Sequence, residues 1–380
     1  MSARAVRSGD ASRIGLDVGP ARTPAAGVSV YVIQLARALD ELAPERIVHL
    51  GVRSDGPLAE HWSGGSAPGQ DGPSQLGRRG YLAWLIASAE RDGSRAGCSL
   101  IHYTNAIAPI RTSLPFVVTV HDMAIHRRPS QHPVARLARI PLSVLSARRA
   151  RLVITPSEAT ADDVRRLLHV PRSRLVVIPE AARVLVVGPD DRTVLDRLGL
   201  VAGSFILSIG TIEPRKNGVG LLAAFERLAS TNPALRLVFA GGPGWRDGAF
   251  RRALAASPAF DRVVMTGHLP DGELAALLEA CALMAYPSFH EGFGLPVLEA
   301  MAAGAPVVTS RVSSMPEVAG GAAVLVDPTD VGSIAAGIRE ALARRDELGR
   351  TGPARAVGRT WLDVGRETLA AYDRALGKGA

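Results

Sequence analysis

Two successive series of short β-branched segments, each alternating with longer helical segments, constrain the fold of this chain more than any other feature. The first series lies at 13–18, 46–52, 99–103, 115–120, 152–155 and 175–178, and the second lies at 205–209, 235–240, 263–266, 283–286, 306–309 and 323–326. Strands that alternate with helices in this way form parallel sheets, because each parallel connection has to cross over the sheet. We therefore predict an α/β protein made of two doubly wound domains.

The length of the chain also favours two domains. At 380 residues it exceeds the size at which a single core usually keeps growing, and a polar stretch at 189–197 separates the two series. We predict an N-terminal domain at 1–183, a linker at 184–202 and a second domain at 203–355. The remaining segment, 356–380, is predicted to form a helix that packs back across the domains.

Composition narrows the classes of protein to which the chain can belong. No apolar run reaches the roughly 18 residues that a membrane-spanning helix needs, and the N-terminus lacks the apolar stretch of a signal peptide. We expect a cytoplasmic protein on these grounds. Cys98 and Cys281 lack the spacing of a disulfide or a metal site. The net charge of +8 favours acidic partners such as nucleotides, nucleic acid or an anionic membrane surface.

Two polar segments interrupt the alternating pattern. Residues 54–80 are rich in Gly, Pro, Ser and Asp, which predicts a mobile loop that acts as a lid or faces an acceptor. Residues 126–151 interleave seven arginines with Val, Leu and Ile. This segment is either a basic amphipathic region in peripheral contact with a membrane or a solvated arginine face over a buried stripe. We expect no nucleic-acid partner, because the arginines are dispersed and aromatic residues make up only 4%.

The segment 287–309 contains the most specific chemistry. Glu291 adjoins Gly292 and Gly294 just before a helix start, and Glu299 follows one turn inside that helix. Two glycines let a ligand approach the backbone, the amides of a helix start suit a phosphate, and carboxylates accept hydrogen bonds from vicinal hydroxyls. Such acids are more often solvated, but this helix is apolar on most faces, so a buried carboxylate is expected to have a partner. The combination is typical of a sugar-nucleotide site.

A basic loop at 210–217 follows the first strand of the second series. Lys216 and Lys378 are the only lysines among 44 basic residues, which singles out Lys216 as a compact charge beside Arg215. The carboxyl ends of parallel strands face the ligand crevice, so these two cations are predicted to bind a diphosphate. Two cations at a helix start oppose the helix dipole, which predicts that an anion from a ligand joins them.

Other strand ends contribute weaker candidates. Gly241 and Gly242 follow the next strand, where a glycine cluster marks at least a tight turn. His121 and Asp122 follow the strand at 115–120, so His121 is placed to donate a hydrogen bond to a sugar while Asp122 restrains the imidazole or a neighbouring loop. The loop 19–27, which precedes a predicted helix, is placed to approach phosphates or an acceptor.

These residues resemble the retaining glycosyltransferases of family 4 in the motifs GTIEPRKN, HD and PSFHEGFGLPVLEAMAAGAPVVTS. The resemblance implies the GT-B fold, in which two Rossmann-like domains face each other across a cleft. It implies a catalytic set of His121, Arg215, Lys216 and Glu291. It implies donor contacts from Gly210, Glu213, Gly241, Gly242, His290, Gly292, Phe293, Gly294, Leu295 and Glu299, and an acceptor or phosphate loop with Gly27, Ser29 and Asp122.

The resemblance also implies an activity, which is transfer of a hexose from a nucleotide diphosphate sugar to a glycan, a lipid-linked acceptor or a small molecule. Mannose from GDP-mannose is favoured, because the chain looks most like bacterial mannosyltransferases of polysaccharide assembly. No metal or other cofactor is expected, and the chain has no Asp-X-Asp motif. The first helix start departs from the family pattern, with Ser29 and Val30 where many relatives have Gly and Arg. The alternatives are a sugar-nucleotide 2-epimerase and a basic nucleic-acid-binding protein.

Overall fold

The computed structural model of the protein describes residues 12–21, 27–51, 78–127, 129, 137 and 139–378. Two six-stranded sheets, each entirely parallel, form its framework. The strands of the first sheet are β1 (Arg13–Asp17), β2 (Ile47–Leu50), β3 (Cys98–Tyr103), β4 (Phe116–Thr119), β5 (Leu152–Thr155) and β6 (Leu175–Val177). The strands of the second are β7 (Phe205–Ile209), β8 (Arg236–Ala240), β9 (Val263–Gly267), β10 (Leu283–Tyr286), β11 (Val307–Ser310) and β12 (Val324–Val326). The prediction of two doubly wound α/β units is confirmed.

Helices cover both faces of each sheet, which is why strands such as β4 and β10 are buried at every residue. Those of the first half are α1 (Gly27–Leu42), α2 (Arg78–Ala87), α3 (Ala89–Arg95), α4 (Ala124–Arg127), α5 (Arg139–Arg149) and α6 (Glu158–Leu168). Those that follow are α7 (Thr193–Arg197), α8 (Gly218–Ala229), α9 (Gly248–Ala255), α10 (Asp271–Ala280), α11 (Leu295–Ala302), α12 (Met315–Ala319), α13 (Val331–Ala343), α14 (Arg345–Ala356) and α15 (Trp361–Ala375).

The strand order places two distant loops side by side. The first sheet has the order β2-β1-β3-β4-β5-β6 and the second has β12-β11-β10-β7-β8-β9. In the second sheet the chain runs outward from β7 to β9 and returns to the other side of β7 as β10, where Leu283 pairs with Ile206. The loops after β7 and β10 therefore leave the same edge next to each other. Ligands of doubly wound sheets bind at such a switch point.

The two polar segments are described only in part. Residues 54–77 of the predicted loop lie outside the described residues, and 78–80 begin α2. Within 126–151, residues 128, 130–136 and 138 also lie outside. Three described arginines of this segment bind the protein itself: Arg127 pairs with Asp163, and the guanidinium groups of Arg148 and Arg149 donate to backbone carbonyls. No helix within the described ranges is both long and apolar enough to cross a membrane.

The C-terminal helix α15 packs against α1 and the first sheet, and Trp361 at its start contacts apolar side chains of both halves. Tyr372 is fully buried, and its hydroxyl lies 2.7 Å from Nδ1 of His102. The other nitrogen of His102 lies 2.8 Å from the hydroxyl of Thr119. Burial, with a smaller effect of His121, lowers the pKa of His102 to about 3, so the ring is neutral and donates to one of these hydroxyls while it accepts from the other. This buried polar chain ties α15 to β3 and β4.

Tyr372→Phe should therefore lower the free energy of unfolding by about 1–2 kcal/mol, because it leaves a buried nitrogen of His102 without its partner. Chemical denaturation measures this loss. Tyr103→Phe is a matched control, since the Tyr103 hydroxyl is buried without a hydrogen-bond partner among the described residues and its removal should cost less than about 0.5 kcal/mol. Equal losses in the two variants would contradict the role given to the His102 contact.

Candidate functional site

The two sheets face each other across a cleft that contains a cavity of about 500 Å³, a volume typical of small-ligand sites. Of the predicted site residues, Ser29 and His290 do not line it. Those that do are Gly27, His121, Asp122, Gly210, Glu213, Arg215, Lys216, Gly241, Gly242, Glu291, Gly292, Phe293, Gly294, Leu295 and Glu299. Most of the residues predicted from the sequence thus lie on one continuous surface, which loops of both halves form.

Three charged side chains form the centre of the cleft. Arg215 and Lys216 follow β7 and Glu291 follows β10, so the switch point brings them together. Nζ of Lys216 donates to Oε1 of Glu291 at 2.8 Å, and Nη1 of Arg215 donates to Oε2. Lys216 also donates to the hydroxyl of Tyr286, and its Nζ lies 4.5 Å from the centre of that ring. A single carboxylate therefore holds both cations.

A second carboxylate completes the charge balance. Nε and Nη2 of Arg215 lie 2.9 and 2.8 Å from Oε1 of Glu213, whose Oε2 accepts from the indole of Trp245 at 2.6 Å. Two cations and two carboxylates leave this cluster without net charge. The sequence predicts an anion supplied by a ligand, but Glu213 and Glu291 of the chain itself provide it. The cations also lie in the 3-10 turn Pro214–Lys216, which precedes α8, so they are not inside the helix.

Burial and neighbouring charges act in opposite directions on this cluster. Burial alone would raise the pKa of Glu291, but Arg215 and Lys216 outweigh it and lower that pKa from 4.5 to about 2. Burial would lower the pKa of Arg215, but Glu291 and Glu213 reverse this and raise it. Burial lowers the pKa of Lys216 more than Glu291 raises it, and Arg215 adds to the lowering. Glu291 is therefore ionised throughout the neutral range.

The loop between β10 and α11 lies against the first half of the chain. A Cβ added to Gly292 would lie 1.7 Å from the carbonyl oxygen of His121, so only glycine fits there. Hydroxyls of Ser157 and Thr160, at the start of α6, donate to the carbonyl of Gly292 at 2.7 and 3.0 Å. Gly294 precedes α11 with a φ of 112°, which favours glycine. No side chain caps α11 among the described residues, and free amides at a helix start suit an anion.

Glu299 is buried in α11 with 4% of its surface exposed. Nε of Arg183 donates to Oε1 of Glu299, and Nη1 of Arg183 donates to both carboxylate oxygens of Asp271 at 3.0 and 3.1 Å. The sequence predicts that a carboxylate in so apolar a helix needs a partner, and Arg183 is that partner. It comes from the segment between β6 and α7, outside both sheets.

His121 lines the cleft from the first half. Its Nε2 lies 2.8 Å from the carbonyl oxygen of Thr104, and since a carbonyl only accepts, this nitrogen carries a proton. Its Nδ1 lies 3.7 Å from Oε1 of Glu180, and the ring of Tyr31 meets it edge-on at 4.7 Å between centroids. Burial raises the pKa of Glu180 more than His121 lowers it. Nε2 of His121 is thus held by the backbone of Thr104, while Nδ1 faces the carboxyl group of Glu180.

Three predicted residues have local roles. Asp122 accepts from a backbone amide at the start of α4 at 3.0 Å, so it restrains that neighbouring segment and not the imidazole. The hydroxyl of Ser29 donates to a backbone carbonyl at 3.2 Å and is buried away from the cleft. The ring of His290 is buried, while its carbonyl accepts from Nη1 of Arg215 at 3.0 Å. The backbone of His290, and not its side chain, therefore supports the charged cluster.

Two charged cleft residues from the connection between the sheets were absent from the predicted set. Glu180 and Arg183 both line the cavity. They follow the strand predicted at 175–178, so the strand-end rule that selected His121 and Lys216 would have found them as well. Within the described ranges, no group of three or more His, Cys, Asp or Glu side chains is arranged to hold a metal ion.

Glu291→Gln should lower the free energy of unfolding at neutral pH by about 3 kcal/mol, the value of the pKa shift. A depressed pKa gives stability that is present above the unfolded value of 4.5 and is lost as the pH falls toward 2. The gap between wild type and variant should therefore close on acidification, as measured by urea unfolding between about pH 3 and pH 7. If the difference in the free energy of unfolding between wild type and variant did not change with pH, this result would contradict an ionised Glu291 in the cluster.

The matched control for that experiment is Glu279→Gln. Glu279 forms an exposed pair with Arg192, with 41% and 62% of the two side chains accessible. Exposed pairs contribute little, so this variant should change the free energy of unfolding by less than about 1 kcal/mol.

Two family models match the chain, one over each half. A model described as glycosyl transferases group 1 matches residues 201–354, and a model of Glycosyltransferase Family 4 matches residues 25–182. The O-antigen chain mannosyltransferase B of Escherichia coli is 35% identical over 264 residues, which cover 67% of this chain and 69% of the relative. An MMP alpha-(1->4)-mannosyltransferase of Mycolicibacterium hassiacum is 32% identical over 319 residues, or 78% of this chain and 75% of the relative.

Solved structures share the arrangement of the two sheets. Sucrose-phosphate synthase of Thermosynechococcus elongatus matches with a TM-score of 0.72 at 22% identity, over 97% of this chain and 100% of that one. HepE of Anabaena, in complex with UDP and glucose, matches with a TM-score of 0.72 at 19% identity, over 95% and 99%. These similarities concern the fold, which is GT-B. Together with the sequence matches across both halves, they lead to one conclusion: this chain belongs to the group 1, family 4 glycosyltransferases.

Proposed function

We propose that this glycosyltransferase transfers a hexose from a nucleotide diphosphate sugar to a hydroxyl group of a glycan, a glycolipid or a small-molecule acceptor. Mannose from GDP-mannose is the favoured donor. The anomeric configuration is retained, and neither a metal ion nor a separate cofactor takes part. The observation that carries this proposal is the cluster of Arg215, Lys216 and Glu291 at the centre of the cleft, beside the uncapped start of α11.

Arg215 and Lys216 are the groups that would bind the donor's diphosphate. Lys216 has three N–H donors, and two of them contact Tyr286 and Glu291. Charge-assisted hydrogen bonds of this kind contribute about 1.5–3 kcal/mol each. Negative charge on the phosphate grows as the bond to the sugar breaks, so the same contacts strengthen in the transition state. The cations then stabilise the leaving group without needing a metal.

The remaining cleft residues would orient the two substrates. His121 would contact the sugar through Nδ1, in place of its 3.7 Å contact with Glu180, because Nε2 is bound to Thr104. Glu299 accepts the ribose hydroxyls, and the amides at the start of α11 bind phosphate oxygens. The acceptor oxygen forms its bond to the anomeric carbon on the face from which the diphosphate leaves. Its proton passes to a phosphate oxygen of the leaving group, so no separate base is required.

The preference for mannose rests on the relatives. The two curated relatives described above are mannosyltransferases by name. A lipid-linked acceptor would bring the enzyme to a membrane surface, and a net charge of +8 favours an anionic one. A sugar-nucleotide 2-epimerase would need no acceptor, which provides a direct test between the two activities.

Donor turnover should be screened with GDP-mannose, UDP-glucose, UDP-N-acetylglucosamine and dTDP-rhamnose, with and without an acceptor glycan. We expect the highest rate with GDP-mannose, and NMR of the product should show the anomeric configuration of the donor. An inverted product would refute retention. Isomerisation of the donor without acceptor would favour the epimerase, and a turnover that falls after chelation would refute metal independence.

Lys216→Ala should reduce kcat by about 100-fold or more, because a group that stabilises the leaving phosphate is lost. Steady-state kinetics and a thermal unfolding curve on the same preparation separate this from loss of fold. Lys378→Ala provides the same substitution at the only other lysine, which contacts Ser12 at 2.6 Å and does not line the cleft. A Lys216 variant with unchanged turnover would remove the cation from the mechanism.

A further inference from the structure

The segment between β6 and α7 contributes two charged side chains to the cleft. Oε1 of Glu180 lies 3.7 Å from Nδ1 of His121 in the first half. Arg183, three residues later, donates to Glu299 in the second half and to Asp271 at the start of α10. Both are largely enclosed, with 6% of the Glu180 side chain and 15% of the Arg183 side chain accessible. A connection between the two sheets thus forms a wall of the site.

We propose that Arg183 is a positioning residue for the nucleotide: it fixes the carboxylate of Glu299 in the orientation that accepts the ribose hydroxyls of the donor. This inference deepens the function proposed above and rests on it. Arg183 does not itself bind the ribose. It determines whether Glu299 can distinguish a ribose from a deoxyribose.

The contact geometry leaves the necessary acceptor free. Nε of Arg183 donates to Oε1 of Glu299, and a carboxylate has about four acceptor positions on its two oxygens. Oε2 therefore remains for hydroxyl donors, and Glu299 lines the cavity. The neighbours of Glu299 within α11 are Val297, Leu298, Ala300 and Met301, all of which are buried and apolar. Arg183 is the cation that compensates the buried carboxylate and sets its direction.

The second contact of Arg183 explains why an arginine is needed. Nε binds Glu299 and Nη1 binds Asp271, so the planar guanidinium is held at two points. Asp271 is 62% exposed, and its pair with Arg183 adds little energy by itself. The contact with Asp271 does fix the orientation of the guanidinium group at a second point. A lysine has a single ammonium group and would reproduce this orientation only in part. The two neighbouring hydroxyls of a ribose need acceptor positions at fixed places on the Glu299 carboxylate. A carboxylate that is rotated out of this orientation therefore loses the ribose contact.

The test is a cycle of two nucleotides and several protein variants. GDP and 2′-deoxy-GDP, or UDP and 2′-deoxy-UDP if uridine binds better, are titrated into each protein by calorimetry. Wild type should prefer the ribonucleotide by about tenfold or more, the value of a hydrogen bond to a carboxylate. In Arg183→Gln that preference should fall below about threefold, and Arg183→Lys should restore part of it. Glu299→Gln should lose the preference as well.

The matched control is Arg192→Gln. Arg192 also belongs to the connection between the sheets and pairs with Glu279 of α10, but this pair is exposed and does not line the cavity. Its ribose preference should equal that of wild type. A thermal unfolding curve accompanies each variant, and if Arg183→Gln does not fold, Arg183→Lys and Asp271→Asn decide the question by a partial loss of preference.

Each failure has a separate meaning. If wild type binds no nucleotide, the proposed function fails. If wild type binds nucleotides but does not prefer ribose, the role of Glu299 fails and the inference with it. If Arg183→Gln weakens GDP and 2′-deoxy-GDP equally, Arg183 only stabilises the fold and the inference is overturned. The same holds if folded Arg183→Lys and Asp271→Asn keep the full preference.

Discussion

The pairing of β10 with β7 is the constraint on which the rest of this cleft depends. These strands are neighbours in the second sheet although β8 and β9 lie between them in sequence. Their pairing brings the loops that follow them together, and Lys216 can then donate to Glu291 across 75 residues of chain. Without this strand pairing, Lys216 would lose the carboxylate of Glu291, and Glu291 would lack both of its cationic partners. The topology of the sheet therefore determines the electrostatics of the site.

The neutral charge of the cluster has a consequence for catalysis. Because Glu291 holds Arg215 and Lys216, a diphosphate bound as proposed would have to share these cations with a carboxylate whose pKa has fallen to about 2. That competition would weaken the binding of a ground-state diphosphate. In the proposed reaction a leaving phosphate would carry more charge and compete better, so the cluster would favour the transition state over the bound donor. The carboxylate also fixes the positions of both cations, which preorganises them for the proposed reaction.

Local patterns were sufficient to predict the strands, the two doubly wound sheets and the loops with Lys216, Glu291 and His121, because each depends on residues near it in sequence. The pairing of the charges was not predictable in this way. A pattern at 210–217 cannot reveal that Glu291 neutralises it, so the sequence predicts a ligand anion instead. The strand-end rule would have placed Arg183 at the cleft, but its pairing with Glu299, 116 residues away, was not predictable for the same reason. Side-chain direction also decides whether a residue such as His290 contributes its ring or its backbone.

The loop that carries Glu291 is bound from both halves of the molecule. Arg215 holds its carboxylate from the second half, and the first half holds Gly292 through the hydroxyls of Ser157 and Thr160 and the close carbonyl of His121. A change in the angle between the sheets must therefore move this loop relative to β7 or relative to α6, since it cannot stay fixed to both. Contacts from the first half consequently influence where Glu291 meets its cations. The part of the cleft around Glu291 therefore depends on both halves of the molecule.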